Sequence, residues 1–552
     1  MTSKQKFPVS DVTATSGYFS ALKATVETAF YGNNVQAVTT IAAAYALAKK
    51  APGVIVTDLP VQHASELGLP EDARVLVAND GQVVGRTAAA RRIIGQPGID
   101  TAELTKIARE AVFAGTRKSF LSGHVVVGLS ADFAVEAHLM VPETYANNLY
   151  TYLLNFQIKT PEATQQYEQS RPLPEDDLYL YADPDWHHPD YPDGLAIFDP
   201  LHNAAIILGL RYFGELKKGT LTLAWATAHR NGFVACHGGM KQYQRQDGTF
   251  TMAAFGLSGS GKSTITLTSH GDRYPVKVLH DDAFVIDRQT GATTALEPAY
   301  FDKTQDYPMS DPNTRYFLTV QNVGVTLDDH GKKTLVTQDI RNGNGRTVKS
   351  RYVTPNRVDH LVESVDAIFW IMKDDALPPV VKVEDPSLAA AFGATLATKR
   401  STAENVRADV DREQLVIEPF ANPFRSYPLG EDYQDFYDLF QQRGTACYIL
   451  NTGFFQGQKV KPSDTLDAIA AIVDGTAAFK PFGPLPAMRY LSLPNFPVDF
   501  SNSAYRALLR QRLNDRLTFL ADKATVADGY DRLPLAATQA LEKVAAALVE
   551  CS

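Results

Sequence analysis

One nonapeptide constrains this chain more than any other stretch: Gly256-Leu257-Ser258-Gly259-Ser260-Gly261-Lys262-Ser263-Thr264. It satisfies every position of the phosphate-binding pattern G-x-x-x-x-G-K-[ST]. That pattern works only where a strand delivers the chain into a tight loop and a helix carries it away. The flanks comply, with an apolar run Met252-Ala253-Ala254-Phe255 before it and Ile265-Thr266-Leu267-Thr268 after it. The glycines let backbone amides converge on phosphate oxygens, and the helix N-terminus adds positive potential. Lys262 is then placed along the β- and γ-phosphates, and Ser263 offers its hydroxyl to a divalent cation. The stretch predicts a nucleoside triphosphate site. By itself it names no reaction.

At 552 residues the chain exceeds one ordinary hydrophobic core, so two large domains or more are expected. With 45% apolar and 21% charged residues it reads as globular throughout. A net charge of −9 argues against a general binder of nucleic acid or anionic membrane, while leaving anionic small substrates open. The cysteines Cys236, Cys447 and Cys551 lack metal-ligand spacing and suggest no disulfide framework. Cys236 and Cys447 stand in apolar surroundings and read as buried free thiols. Residues 1–11 are polar, and the apolar stretch 41–48 is too short to span a bilayer. The expectation is a soluble cytoplasmic protein.

Helical and strand signals alternate from the start, which predicts a mixed α/β fold. Residues 35–50 read as a helix, 53–57 as a strand stopped by Pro60, and 74–78 as a second strand. A helix is expected over 101–113, with Thr101 as its N-cap and Glu103 in the first turn. Strands follow at 123–129 and 134–139. The segment 161–192, rich in proline, acids and aromatics, reads as an irregular excursion. Residues 212–219 read as a basic turn, with a helix over 220–228 after it. Later strands are expected at 275–279, 367–372 and 446–450, and a helix over 465–473. The domain break is placed near residue 245, giving 1–245 and 246–552.

A triphosphate site needs a carboxylate for its metal, commonly at the end of a neighbouring strand. Asp281 and Asp282 close the strand at 275–279 and meet that need. Successive residues point to opposite faces, so one is expected to ligate and the other to support it. Upstream lie Tyr212-Phe213-Gly214-Glu215-Leu216-Lys217-Lys218-Gly219 and Cys236-His237-Gly238-Gly239. On composition alone the lysine pair is a solvated turn and His237 a satisfied core histidine.

Taken together, these motifs resemble those of the ATP-dependent phosphoenolpyruvate carboxykinase family. The family's Y-G-G-E-M-K-K-G is similar to 212–219, differing at Phe213 and Leu216. Its metal-binding histidine follows the second lysine at the separation seen between Lys218 and His237. Its phosphate loop G-L-S-G-T-G-K-T-T differs only at Ser260 and Ser263, and its aspartate pair matches Asp281-Asp282. Asp375-Ala376-Leu377-Pro378-Pro379-Val380, Asn451-Thr452-Gly453-Phe454 and Val84-Gly85-Arg86-Thr87 resemble further family motifs. The similarity runs in order over roughly residues 70–480.

The resemblance implies a two-domain carboxykinase fold, with a phosphate-loop C-terminal domain and the active site in an interdomain cleft. It implies decarboxylation of oxaloacetate and phosphorylation of the resulting enolate by ATP, giving phosphoenolpyruvate, CO2 and ADP. Mn2+ would be held by Lys218, His237 and Asp282, with Asp281 outside them; a lysine ligates only as the neutral amine. Mg2+ would bridge the nucleotide phosphates with Ser263 as a ligand. Arg86 would bind oxaloacetate, Tyr212 would meet substrate or CO2, and Arg351 would reach the γ-phosphate and substrate. Lys303, Asp311, Lys459, Val460 and Thr465 would line the nucleotide site. Lys459 stands where the family has an adenine-stacking arginine, and Ala283-Phe284-Val285 replaces the residues that usually follow the aspartate pair. A monomer is expected, with larger assemblies left open. The rival readings are a phosphate-loop kinase of another small molecule or protein, and a nucleotide-binding regulator on the same fold.

Overall fold

The computed structural model describes residues 6–13, 15–79, 87–257, 259–337, 345–399 and 415–549. Arg86, Ser258 and Cys551 therefore lie outside the described residues. The chain divides into two compact units. The described residues up to Asn231, with Thr294–Pro355, form the first; Gly232–Thr293 and the described residues from Asn356 onward form the second. Residue 245 ends the strand Gly239–Arg245, inside the second unit.

An eight-stranded mixed sheet organises the first unit. Its order is Val35–Val38, Phe120–Val127, Val135–Pro142, Leu178–Asp183, Ala204–Leu208, Leu195–Asp199 and Arg91–Ile93, with Gln157–Ile158 beside Phe120–Val127. Its central strands are buried along their whole length, as expected of a sheet covered on both faces. Met140, Tyr179, Tyr181 and Leu208 pack on Leu22 and Val26 of the helix Ala21–Ala29 and on Leu104 and Ile107 of the helix Thr101–Gly115. The alternate residues Leu180, Phe198 and Ile207 point the other way. There the helix Phe213–Arg230 presses down at Gly219, where a Cβ would come within 3.1 Å of Ile207 Cδ1 and 3.3 Å of Phe198 Cε1.

A five-stranded sheet completes this unit, in the order Tyr300–Lys303, Arg346–Lys349, Phe317–Gln321, Arg74–Ala78 and Val54–Pro60. Parallel pairing of Thr319 with Leu76 fastens the returning segment to the N-terminal part of the unit.

The second unit is built on another eight-stranded sheet, ordered Val276–His280, Gly239–Arg245, Gly248–Phe255, Ala367–Met372, Ala446–Asn451, Val380–Val383, Met488–Leu491 and Phe479–Pro481. Gly248–Phe255, Ala367–Met372 and Ala446–Asn451 run parallel, which sets their C-terminal ends side by side. One face packs Met252, Ala254, Phe369 and Ile371 with Ile469 and Val473 of the helix Pro462–Val473. On the other, Phe255 and Trp370 meet Phe436 of the helix Leu429–Arg443, with centroids 5.4 and 5.1 Å away.

Several local expectations need correction. Residues 35–50 are not one helix: Val35–Val38 pairs in parallel with Phe120–Val127, and Thr40 caps a separate helix, Ile41–Ala48. Asp100, not Thr101, caps the helix Thr101–Gly115, accepting from Glu103 N. Pro60 ends its strand from within. The excursion at 161–192 contains the helix Pro161–Glu168, with proline tolerated in its first turn, and the fully buried strand Leu178–Asp183. The basic turn expected at 212–219 is helical from Phe213 onward, with Phe213, Leu216 and Gly219 buried and Lys217 paired with the buried Glu297. Cys236 and Cys447 are buried and free. Among the described residues no helix is long and apolar enough to cross a membrane.

Candidate active site

The phosphate loop leaves the strand Gly248–Phe255 near the middle of its sheet and enters the helix Lys262–Leu267. Gly259 and Gly261 hold φ of +79° and +95°, values that side chains other than glycine adopt only under strain. Gly256 is required for space: a Cβ there would come 2.5 Å from Ser260 Oγ and 2.9 Å from Ile371 Cβ. Leu257 and Ser260 are buried, whereas Ser263 and Thr264 are exposed. Thr452 Oγ1 donates to the Ser260 carbonyl at 2.9 Å, tying the loop to the chain that leaves Ala446–Asn451.

A cavity of about 200 Å³ opens against the loop. Gly259, Ser260, Gly261 and Thr264 form one side, and Lys459, Val460 and Thr465 form another. Three residues named from sequence on the nucleotide side thus meet the phosphate loop around one space. Val460 N is held by the Gly453 carbonyl at 3.0 Å, and Lys459 Nζ lies 4.9 Å from the centroid of the Phe454 ring. Lys373 and Lys461 also line the cavity and were not anticipated. Lys373 had a usable signal. It directly follows Ala367–Met372, and ligands gather at the carboxyl ends of parallel strands.

His237 and Asp282 are brought together by register. The strand Phe233–His237 pairs antiparallel with Ala283–Asp287 so that His237 faces Ala283, and Gly238 N donates to the Asp282 carbonyl at 3.0 Å. On the neighbouring sheet Met240 pairs with His280. The chain therefore changes sheets twice at one level, at Gly238 and at Asp281-Asp282, and His237 Nε2 ends 2.9 Å from Asp282 Oδ1. The buried His280 supports the second crossing, its Nδ1 accepting from Asp282 N at 3.0 Å and Ala283 N at 3.1 Å. Gly239 fits the first crossing against the phosphate-loop helix, since a Cβ there would collide with Thr266.

The far edge of the His237 ring fixes its chemistry. Nδ1 lies 2.6 Å from the Ala421 carbonyl, which can only accept, so Nδ1 carries the hydrogen. In the neutral ring Nε2 then presents a lone pair to a carboxylate oxygen. Two acceptors at that distance need a positive charge, either a proton on the ring or a metal ion shared by both. One imidazole nitrogen and one carboxylate oxygen fit a first-row divalent ion, with the Ala421 bond orienting the ring as second partners of metal-bound histidines do. Asp281, partly buried, stands next in sequence at the same crossing.

The remaining candidates belong to the first unit. Tyr212 precedes the helix Phe213–Arg230, and burial pushes its phenol above the ordinary tyrosine pKa while the Arg346 guanidinium acts the other way. The adjacent lysines separate in role. Lys217 is fully buried, with Nζ 2.9 Å from Glu297 Oε1, whereas Lys218 is partly exposed with Nζ 5.7 Å from the centroid of Trp225. Lys303 pairs with Arg346 across the strands Tyr300–Lys303 and Arg346–Lys349, so a second cation, missed in the sequence, joins it at that strand end. Arg351 lies just beyond, in the 3₁₀ turn Arg351–Val353. Asp311 caps the turn Pro312–Tyr316, accepting from Asn313 N at 2.8 Å.

The family model described as phosphoenolpyruvate carboxykinase matches residues 71–494. A phosphoenolpyruvate carboxykinase (ATP) of Aeropyrum pernix is 26% identical over 304 residues, covering 53% of this chain and 60% of that protein. Another, of Eremothecium gossypii, is 23% identical over 479 residues, 78% of this chain and 82% of that protein. The family match takes in the phosphate loop, the His237–Asp282 pair and the helix that carries Lys217 and Lys218, and the chain belongs to the phosphoenolpyruvate carboxykinase family.

Proposed function

We propose that this protein converts oxaloacetate and ATP to phosphoenolpyruvate, CO2 and ADP. The observation that carries the reading is the His237–Asp282 pair. It is a nitrogen–oxygen donor set 2.9 Å across, set by strand register and packed through Gly239 against the phosphate-loop helix. Loss of CO2 leaves negative charge on an enolate oxygen, and a bound divalent ion supplies the Lewis acid that stabilises it. In this reading the ion is Mn2+, His237 and Asp282 ligate it, Lys218 completes the set as a neutral amine, and Asp281 supports from outside.

The nucleotide half rests on the loop and its cavity. Backbone amides of 256–261 and Lys262 hold the triphosphate, Ser263 contributes its hydroxyl to Mg2+, and Lys459, Val460 and Thr465 enclose the base side. Lys303, Arg351 and Asp311 are assigned to nucleotide and phosphate contacts by their motifs. Arg86 and Arg351 supply the planar forks that fix substrate carboxylates, and Tyr212 presents a neutral phenol to substrate or CO2.

The test is direct. Purified protein given oxaloacetate, ATP, Mg2+ and Mn2+ should release phosphoenolpyruvate, and His237→Ala or Asp282→Ala should abolish the product. Absence of product with both ATP and GTP would overturn the assignment.

A further inference from the structure

A group of four metal-ligating side chains lies in the first unit, on residues with no part in the reaction proposed above. His124 on Phe120–Val127 and His138 on Val135–Pro142 are directly paired in antiparallel register, and their rings stack with centroids 4.0 Å apart. Glu136 stands two residues before His138 and so shares its face of the sheet. Asp177 immediately precedes the next strand, Leu178–Asp183. His124 Nε2 lies 3.2 Å from Glu136 Oε2, and His138 Nε2 lies 3.0 Å from Asp177 Oδ2. One ligand atom from each of the four falls within 4.8 Å of all the others.

The surroundings fit a cation better than an idle polar network. Glu136, His138 and Asp177 are buried at 3%, 8% and 0% exposure, and buried carboxylates are costly unless compensated. Lys159 Nζ meets Glu136 Oε1 at 2.5 Å, which leaves Oε2 turned toward His124. Lys23 Nζ donates to the Asp177 backbone carbonyl at 3.3 Å and forms ion pairs with Asp176, at 2.6 Å, and with Glu27, at 3.8 Å. His124 Nε2 is buried and has no partner of hydrogen-bonding geometry. A cavity of about 290 Å³, lined in part by Ser122, His124, His138 and Lys159, opens beside the cluster and gives an ion and its water a way in.

We propose that His124, Glu136, His138 and Asp177 form a second divalent-metal site, separate from His237 and Asp282, that takes Zn2+ and clamps three neighbouring strands of the sheet. Two imidazoles with two carboxylates make a tetrahedral donor set that Zn2+ accepts readily, while Mg2+ and Ca2+ prefer oxygen alone. Zinc bonds of about 2.0–2.2 Å place tetrahedral ligand atoms roughly 3.4 Å apart. The pairs at 3.0 and 3.2 Å already stand near that spacing, and small rotations close the rest. Binding puts the ion in place of the hydrogen between His138 and Asp177, and the neutral ring of His138 then carries its one hydrogen on Nδ1. Lys159 stays on Glu136 Oε1 as an outer partner.

The experiment uses the full chain carrying His237→Ala and Asp282→Asn, so that the active-site pair cannot contribute. After dialysis against chelator it is titrated with Zn2+ alone by calorimetry and with Co2+ alone by visible absorption. The expected result is one ion per chain, a tetrahedral Co2+ spectrum and a Zn2+-dependent rise in melting temperature. Adding His124→Gln, a change at a partly exposed position that keeps a polar side chain, should weaken Zn2+ binding about 100-fold or more and remove the temperature shift. Adding His138→Gln should do the same. No bound Zn2+ in the background variant, or binding and temperature shift unchanged by His124→Gln, would overturn the site.

Discussion

His237 Nδ1 donates to the Ala421 carbonyl at 2.6 Å, and that bond turns the ring's lone pair toward Asp282 Oδ1, 2.9 Å from Nε2. The pair is thereby an acceptor facing an acceptor. Asp282→Asn changes this at almost constant shape, because the amide NH2 can donate to Nε2. We expect Mn2+ affinity, followed by electron paramagnetic resonance, to fall about 100-fold or more. The metal-free variant should melt at or above the temperature of metal-free wild type. A variant that binds Mn2+ as before would show that Asp282 is no ligand.

Gly239 connects the same histidine to the phosphate loop by close approach. A Cβ there meets Thr266 in the helix Lys262–Leu267, and Thr266 is itself bonded to the Lys262 carbonyl at 2.9 Å. Gly239→Ala should therefore push the helix rather than merely stiffen the loop. The expected outcome is weaker ATP binding and a loss of roughly 1–3 kcal/mol in stability, the usual range for overpacking. Removing the obstacle in Gly239→Ala/Thr266→Ala should recover part of both. Calorimetric ATP titration of the three variants is the measurement.

The two motif lysines make a contrast that activity measurements can separate. Lys217 and Glu297 are both fully buried and 2.9 Å apart, and Glu297 Oε2 also accepts from Asn155 at 2.6 Å. Lys217→Met strands a buried carboxylate and should cost about 3–5 kcal/mol. Lys217→Met/Glu297→Gln removes that charge while keeping an acceptor for Asn155, and should regain most of the loss in a urea melt. Lys218→Met, at a partly exposed site, should leave the melt nearly unchanged while abolishing turnover.

The sequence was most readable where one short stretch carries its own geometry. The phosphate loop needed only its glycines and flanking strand, and the strands 74–78 and 367–372 fall where alternation and apolar runs put them. Legibility failed where a distant partner decides. Helical burial of 212–219 depends on Glu297, far along the chain, and Val35–Val38 becomes a strand by pairing with Phe120–Val127. The proximity of His237 and Asp282 is written in strand register, and the role of Ala421 is carried by a backbone carbonyl that no side-chain pattern reveals. The cluster at His124 shows the same limit, since its four residues come from three strand regions without ligand-like spacing.

Lys459 bounds the cavity beside the phosphate loop, with its ammonium 4.9 Å from the centroid of Phe454. The related motif carries arginine at this position, whose planar group can stack on a base while a lysine ammonium cannot. Lys459→Arg should lower KM for ATP about 3- to 10-fold with kcat little changed, in line with a cation–π gain of about 0.5–1.5 kcal/mol. Lys459→Ala should raise KM and likewise spare kcat, the pattern of binding shared by ground and transition states. A change confined to kcat would place Lys459 at the transferring phosphate instead.

Lys241 gives the second unit a stability that depends on pH. Its Nζ is buried, donates to the Thr268 carbonyl at 2.8 Å just past the phosphate-loop helix, and sits 4.5 Å from the centroid of Tyr243. Burial pushes its pKa down to about 7, against about 10.4 for an unfolded lysine. Between those values the unfolded chain binds the extra proton, so stability rises with pH. The contribution is complete above the unfolded value and is lost as pH falls toward the folded one. Lys241→Met keeps the apolar stem and removes the titration. At pH 7.5 the variant should be the more stable protein, and by pH 9.5 its advantage should shrink by about 2 kcal/mol, since one group changes stability by at most about 1.4 kcal/mol per pH unit. Urea midpoints across that range decide it: parallel curves for the two proteins would mean that Lys241 stays charged when folded.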